Sequence, residues 1–217
     1  MTETYKMKAW SLEDLFSARD AEDMLAAMQE LESGAGEFEK HRPNLNGDIS
    51  DQDFMQVVAD LEALTKLSNR ISAYAGLDFA ADTQNQEAQT FYAQVDQLLA
   101  KINNRTLFFS LWWKGLEEGA ADQLMAGSGD YRYWLEEMRN FKPHTLSEAE
   151  EKIVNIKDVT GANALTVLYD SITNRYVFKV TVDGEELELT RGELMVHVRG
   201  HDADVRAAAY QELYRVC

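Results

Sequence analysis

Positive charge is scarce in this sequence: 21 Lys and Arg stand against 38 Asp and Glu, a formal net charge of −17 over 217 residues. So acidic a surface repels phosphate backbones and anionic lipid heads, and neither nucleic acid nor a membrane is an expected partner. Cysteine occurs once, as Cys217. That excludes an internal disulfide and fits a reducing compartment, which makes the cytoplasm the expected location. Long apolar runs are missing too. The stretch from Leu107 to Trp113 falls far short of the roughly 20 residues that a membrane helix needs. Met1 to Trp10 lacks the apolar centre of a signal peptide. Proline occurs twice, once in a polar connector at Pro43 and once at Pro143, where it stops a helix.

What the chain does have is helical periodicity. Ala88, Phe91, Val95, Leu98, Leu99, Ile102, Phe109, Trp112, Trp113 and Leu116 recur at three-and-four spacing. This predicts one long helix from Thr83 to about Glu118, capped by Thr83 with Gln86. Its end is apolar all round, so Phe108, Leu111, Trp112 and Trp113 must be covered on more than one side. They serve either as core or as an interdomain or partner surface. Upstream, Ser11 with Asp14 predicts a short helical turn after an extended start, and Ala21 to Glu32 a helix that Gly34 and Gly36 end. Ser50 with Asp53 opens a helix to about Leu77. The short link to the next helix makes the two an antiparallel hairpin.

Gly119 to Gly129 is small and flexible in composition and predicts a hinge or boundary. Beyond it, Asp130 is expected to cap a helix through Met138, and Ser147 with Glu150 forms a capping box. A further helical stretch follows at Ala162 to Tyr169. The period then changes to two around Tyr176, Phe178 and Val180, and Asp183-Gly184 supplies a tight turn, so a β-hairpin is expected near 174–190. Thr190 with Glu193 caps another helix, and Asp202 begins one that carries no stop signal. The expected fold is mainly α, with a long-helix antiparallel bundle over 1–120 and a smaller helical part over 130–217 that contains the hairpin and reads as truncated.

Catalytic and metal motifs are absent from the residues. His197 and His201 stand four apart, but Val198 replaces the general-base Glu of a zinc peptidase helix, and Gly200 with Asp202 predicts a helix break between them. No His is followed by Glu, no Glu precedes a His by three, and no Gly-Lys pair can form a phosphate-cradling loop. Ser128, between Gly127 and Gly129, lacks the strand and the outer glycines of a nucleophile elbow. Acidic clusters such as Glu117-Glu118 and Glu150-Glu151 read as solvated helix faces. No catalytic, cofactor or metal residue is assigned.

The order of several segments nevertheless resembles one family. Trp10-Ser11-Leu12-Glu13-Asp14-Leu15-Phe16, Arg70 to Leu77 with Ala81-Asp82-Thr83, Pro143 to Ile153, Thr160 to Ala164, Leu168-Tyr169-Asp170, and Asp204 to Tyr210 are together similar to oligoendopeptidase F proteins. These are a branch of the thimet-oligopeptidase-like zinc peptidases. The resemblance implies a full-length parent that cuts short peptides in a helical channel, with zinc held by a His-Glu-x-x-His helix and a later Glu. Those residues do not occur in this sequence, so zinc is expected in the parent and no cofactor in this chain. The chain then forms part of the channel wall or lid, with the missing catalytic domain as its partner and self-association expected when it stands alone. The competing expectation is a stand-alone helical interaction module without enzymatic activity.

Overall fold

In the computed structural model, residues 10–216 are described; the expected extended start and Cys217 lie outside them. The chain divides into two compact units, one ending at Gly161 and the other beginning at Ala162.

The first unit is built on three long helices, α1 (Glu22–Phe38), α2 (Asp51–Ala81) and α3 (Gln86–Gly115). At 1.5 Å per residue α2 and α3 each run about 45 Å. Their antiparallel pairing is fixed at both ends by ring contacts. Phe54, in the first turn of α2, stacks on Trp113 near the end of α3 at 5.3 Å, and Phe79 stacks on Tyr92 at 5.3 Å at the other end. α1 runs alongside α3 in the same direction. Arg19, just before α1, pairs with Asp78 and Glu87, while Phe38 at its end packs 5.3 Å from Phe108. The core follows the apolar stripes: Met24 and Leu31 from α1, Val57 and Ile71 from α2, Val95, Ile102 and Phe109 from α3 are all buried.

Capping explains where these helices start. Ser50 accepts from the Asp53 amide, as its spacing predicts. The cap of α3 is Asn85, whose side chain accepts from the Glu87 and Ala88 amides, and not Thr83. Thr83 lies farther from the helix and is itself buried. Gly34 and Gly36 do not end α1, which continues to Phe38. They sit where the helix meets its neighbours. A Cβ on Gly34 would come within 2.8 Å of Leu64, and one on Gly36 within 3.2 Å of the Arg105 guanidinium. The glycines permit close helix packing, a role that local sequence cannot distinguish from a stop. Ser11 and Asp14 produce a single turn, with Phe16 folded into the core behind it.

The stretch 119–129, read from composition as a hinge, carries α4 (Glu118–Ala126) with Ala121 and Leu124 in the core. The division between units falls at Gly161 instead. Asp130 belongs to a short 3-10 turn, and α5 (Arg132–Asn140) starts after it without a side-chain cap. α6 (Glu148–Thr160) opens on the predicted capping box of Ser147 and Glu150.

The second unit contains α7 (Ala162–Thr173), β1 (Phe178–Val182), β2 (Glu185–Leu189), α8 (Arg191–Val198) and α9 (Ala203–Val216). The strands pair antiparallel, with Phe178 opposite Leu189 and Val182 opposite Glu185. Asp183 and Gly184 take φ of +52° and +85°, the two left-handed residues of the predicted tight turn. Phe178, Val180, Leu194 and Ala209 form this unit's core. Glu212 of α9 is buried against the hairpin, accepting from the Lys179 amide at 2.8 Å and from the Arg215 guanidinium. Among the described residues the fold is mainly α with one β-hairpin, as the sequence predicts.

Candidate functional site

The aromatic end of α3 is the first place to look, and most of it is core. Phe108 and Trp113 are buried, and Trp113 donates from Nε1 to the Leu135 carbonyl at 2.9 Å. Arg139 lies 5.6 Å from the Trp113 ring centre and ties the helix end to α5 by donating to the Trp113 and Leu116 carbonyls. Leu111 and Trp112 are half-buried. Of the two expectations for these four residues, core or partner surface, Phe108 and Trp113 take the first, because α1, α2 and α5 cover them. Among the described residues the Trp112 Nε1 donor is buried without a hydrogen-bond partner, which costs about 1–3 kcal/mol.

Exposed apolar side chains lie elsewhere. Neither α6 nor α7 has a buried residue. On α7, Leu165, Leu168, Tyr169 and Ile172 follow the three-and-four spacing of a single face, with Leu165 66% and Tyr169 61% exposed. On α6, Ile153 and Ile156 are likewise exposed. Helical spacing made these stripes legible. The sequence could not show that these side chains stay exposed among the described residues, because coverage depends on tertiary placement.

α6 is tied to α3 by polar contacts. Asn155 donates to the Ala100 carbonyl and to the Asn104 side chain, both at 2.8 Å. Between α3, α6 and the 3-10 segment Glu39–Asn44 lies a groove of about 640 Å³. Arg42, Lys101, Arg105 and Lys152 line it together with Glu39 and an apolar floor of Ala100, Ile156 and Val159. Arg105 grips the Glu39 carboxylate with two nitrogens, and that hydrogen bonding holds the carboxyl below its usual range. Glu148 is lowered in the same way by Arg42 and then Lys152. Lys101 pairs with Glu32 at 2.7 Å. These cations come from three elements far apart in sequence, and only Lys101 and Arg105, four apart on one helix, left a local trace.

The histidines are separated as predicted. His197 lies in the last turn of α8, which stops at Val198, and His201 precedes α9. Among the described residues no three His, Cys, Asp or Glu side chains converge on a metal-sized site. No helix of the described residues is long and apolar enough to cross a membrane.

Fold and surface together define a mainly helical protein, built on a long antiparallel hairpin, with apolar helix faces left open. Known peptidases resemble it over part of their length. Residues 113–178 match the family described as Oligopeptidase F, and the chain is related to the N-terminal portion of such peptidases. It is 26% identical over 170 residues to Group B oligopeptidase PepB of Streptococcus agalactiae, covering 76% of this chain and 28% of that protein. It is 23% identical over 214 residues to Oligopeptidase PepF of Bacillus subtilis, covering 95% of this chain and 31% of that protein. The chain thus spans about a third of the length of these curated relatives. The crystal structure of oligoendopeptidase-F from Enterococcus faecium superposes with a TM-score of 0.72 at 22% identity, covering 89% of this chain and 39% of that one. At that identity the likeness speaks for the fold alone.

Proposed function

We propose that this chain is the N-terminal, non-catalytic part of an oligoendopeptidase F-like zinc peptidase, forming one wall or lid of a channel for short peptides. The observation that carries this is the apolar face of α7, which no element of its own unit covers, in a chain about one third the length of its peptidase relatives. A soluble protein rarely leaves such a stripe to water, and the remaining part of the peptidase is its natural cover.

The zinc implied by the oligopeptidase F resemblance does not fit the donors here, since His197 and His201 sit on either side of a helix break and among the described residues no third ligand joins them. Peptide cleavage is therefore assigned to the remainder of the parent, and this chain contributes packing and access control.

The α7 face should make the isolated chain self-associate. Replacing Leu165 and Leu168 by Glu should shift the sedimentation profile toward monomer and lower the binding of an apolar dye at least severalfold. Tryptophan-monitored unfolding should stay unchanged, because all four tryptophans lie in the first unit. Unaltered dye binding and association in that variant would remove α7 as the docking face.

A further inference from the structure

The protein is strongly acidic, yet four cations line a single groove. Arg42, Lys101, Arg105 and Lys152 face a lining that holds only one acid, Glu39. Even with Glu32 and Glu148, which pair with Lys101, Arg42 and Lys152, the cluster has four positive groups against three negative ones. The local balance thus opposes the net charge of −17. These pairs hold the cations in place without using them up. Lys101 and Lys152 each make one ion pair among the described residues, and a lysine has three donors. Exposed pairs of this kind are weak, so an incoming anion can share their donors. Beside the charges, Ala100, Ile156 and Val159 offer an apolar floor.

We infer that this groove binds the terminal carboxylate of a peptide whose last side chain is apolar. The carboxylate would lie between Lys101, Lys152 and Arg42, and the side chain would rest on Ile156 and Val159. A volume of about 640 Å³ is room for a few residues and not for a folded domain. The assignment rests on the peptide-channel reading above for its choice of ligand. The carboxylate preference itself rests on the charges.

The experiment titrates the full chain with acetyl-Ala-Ala-Ala-Leu carrying a free carboxylate, with the same peptide amidated, and with inorganic phosphate. Binding is followed by calorimetry and by backbone amide shifts at Ala100, Asn104 and Ile156. The free acid should bind at least tenfold more tightly than the amide and shift those three amides. It should weaken as salt rises and lose about tenfold in Lys101→Gln with Lys152→Gln. Both lysines are partly exposed and their loss leaves the Arg105–Glu39 contact intact, so the variant should fold, as its circular dichroism will show. Equal binding of acid and amide, full binding by the double variant, displacement by phosphate at the same concentration, or no binding at all would each overturn the inference. None of these would touch the assignment to the N-terminal part of a peptidase, which stands or falls on the coding sequence.

Discussion

Trp113→Ala is expected to cost the first unit about 3–5 kcal/mol, the usual loss for truncating a fully buried aromatic ring. Trp113 is fully buried, stacks 5.3 Å from Phe54, and donates from its indole to the Leu135 carbonyl at 2.9 Å. Alanine removes the ring, opens a cavity where α2, α3 and α5 meet, and removes the indole's hydrogen bond to the Leu135 carbonyl. Urea unfolding followed by helical circular dichroism measures the loss. A domain of this size has about 5–15 kcal/mol in total, so the variant comes close to unfolding. Trp113→Phe then serves as the second measurement. It keeps most of the packing and should lose mainly the hydrogen bond, about 1–2 kcal/mol. A loss under 1 kcal/mol for Trp113→Ala would mean that the aromatic end of α3 is not core.

The second large effect lies in the other unit and depends on pH. The hydrogen bonds from Arg215 and from the Lys179 amide lower the Glu212 carboxyl from its ordinary 4.5 to about 2. Because the folded value is depressed, the contribution is fully present above about 4.5 and is lost as pH falls toward about 2. At about 1.4 kcal/mol per unit it is on the order of 3 kcal/mol. Amide exchange at Lys179, whose N–H is held by Glu212, reports this unit directly. Protection should fall steeply through that window in the native chain. In Glu212→Gln it should be lower at neutral pH and nearly flat across the window, apart from the slope due to other carboxylates. Parallel profiles for the two proteins would show that Glu212 does not link α9 to the hairpin.

How legible the fold was depended on how local each signal is. The capping boxes at Ser147–Glu150 and Thr190–Glu193 and the turn at Asp183-Gly184 are settled within a few residues, and the structure has all three. The signals that misled are those where one residue type serves two purposes. Gly34 and Gly36 read as stops but allow α1 to approach Leu64 and Arg105. The small residues of 119–129 read as a hinge but carry a helix with Ala121 and Leu124 in the core. Thr83 matches a capping pattern, yet Asn85, nearer to α3, takes the role.

The functional surface was less legible because burial is a property of the whole fold. The bulk of Phe108 and Trp113 marked them as needing cover, and the structure provides that cover within the unit. Leu165, Leu168, Tyr169 and Ile172 look in sequence like an ordinary core-facing stripe, and only the fold shows the stripe uncovered. The groove is further still from local reading, since Arg42 and Lys152 meet across more than a hundred residues.

The central claim is that this chain is one part of a longer peptidase, and reading the coding DNA past the codon for Cys217 tests it most directly. The account predicts an open frame that continues for several hundred codons and reaches a His-Glu-x-x-His motif. A stop codon immediately after Cys217 would contradict it and leave a helical interaction module whose apolar α7 face serves some other partner.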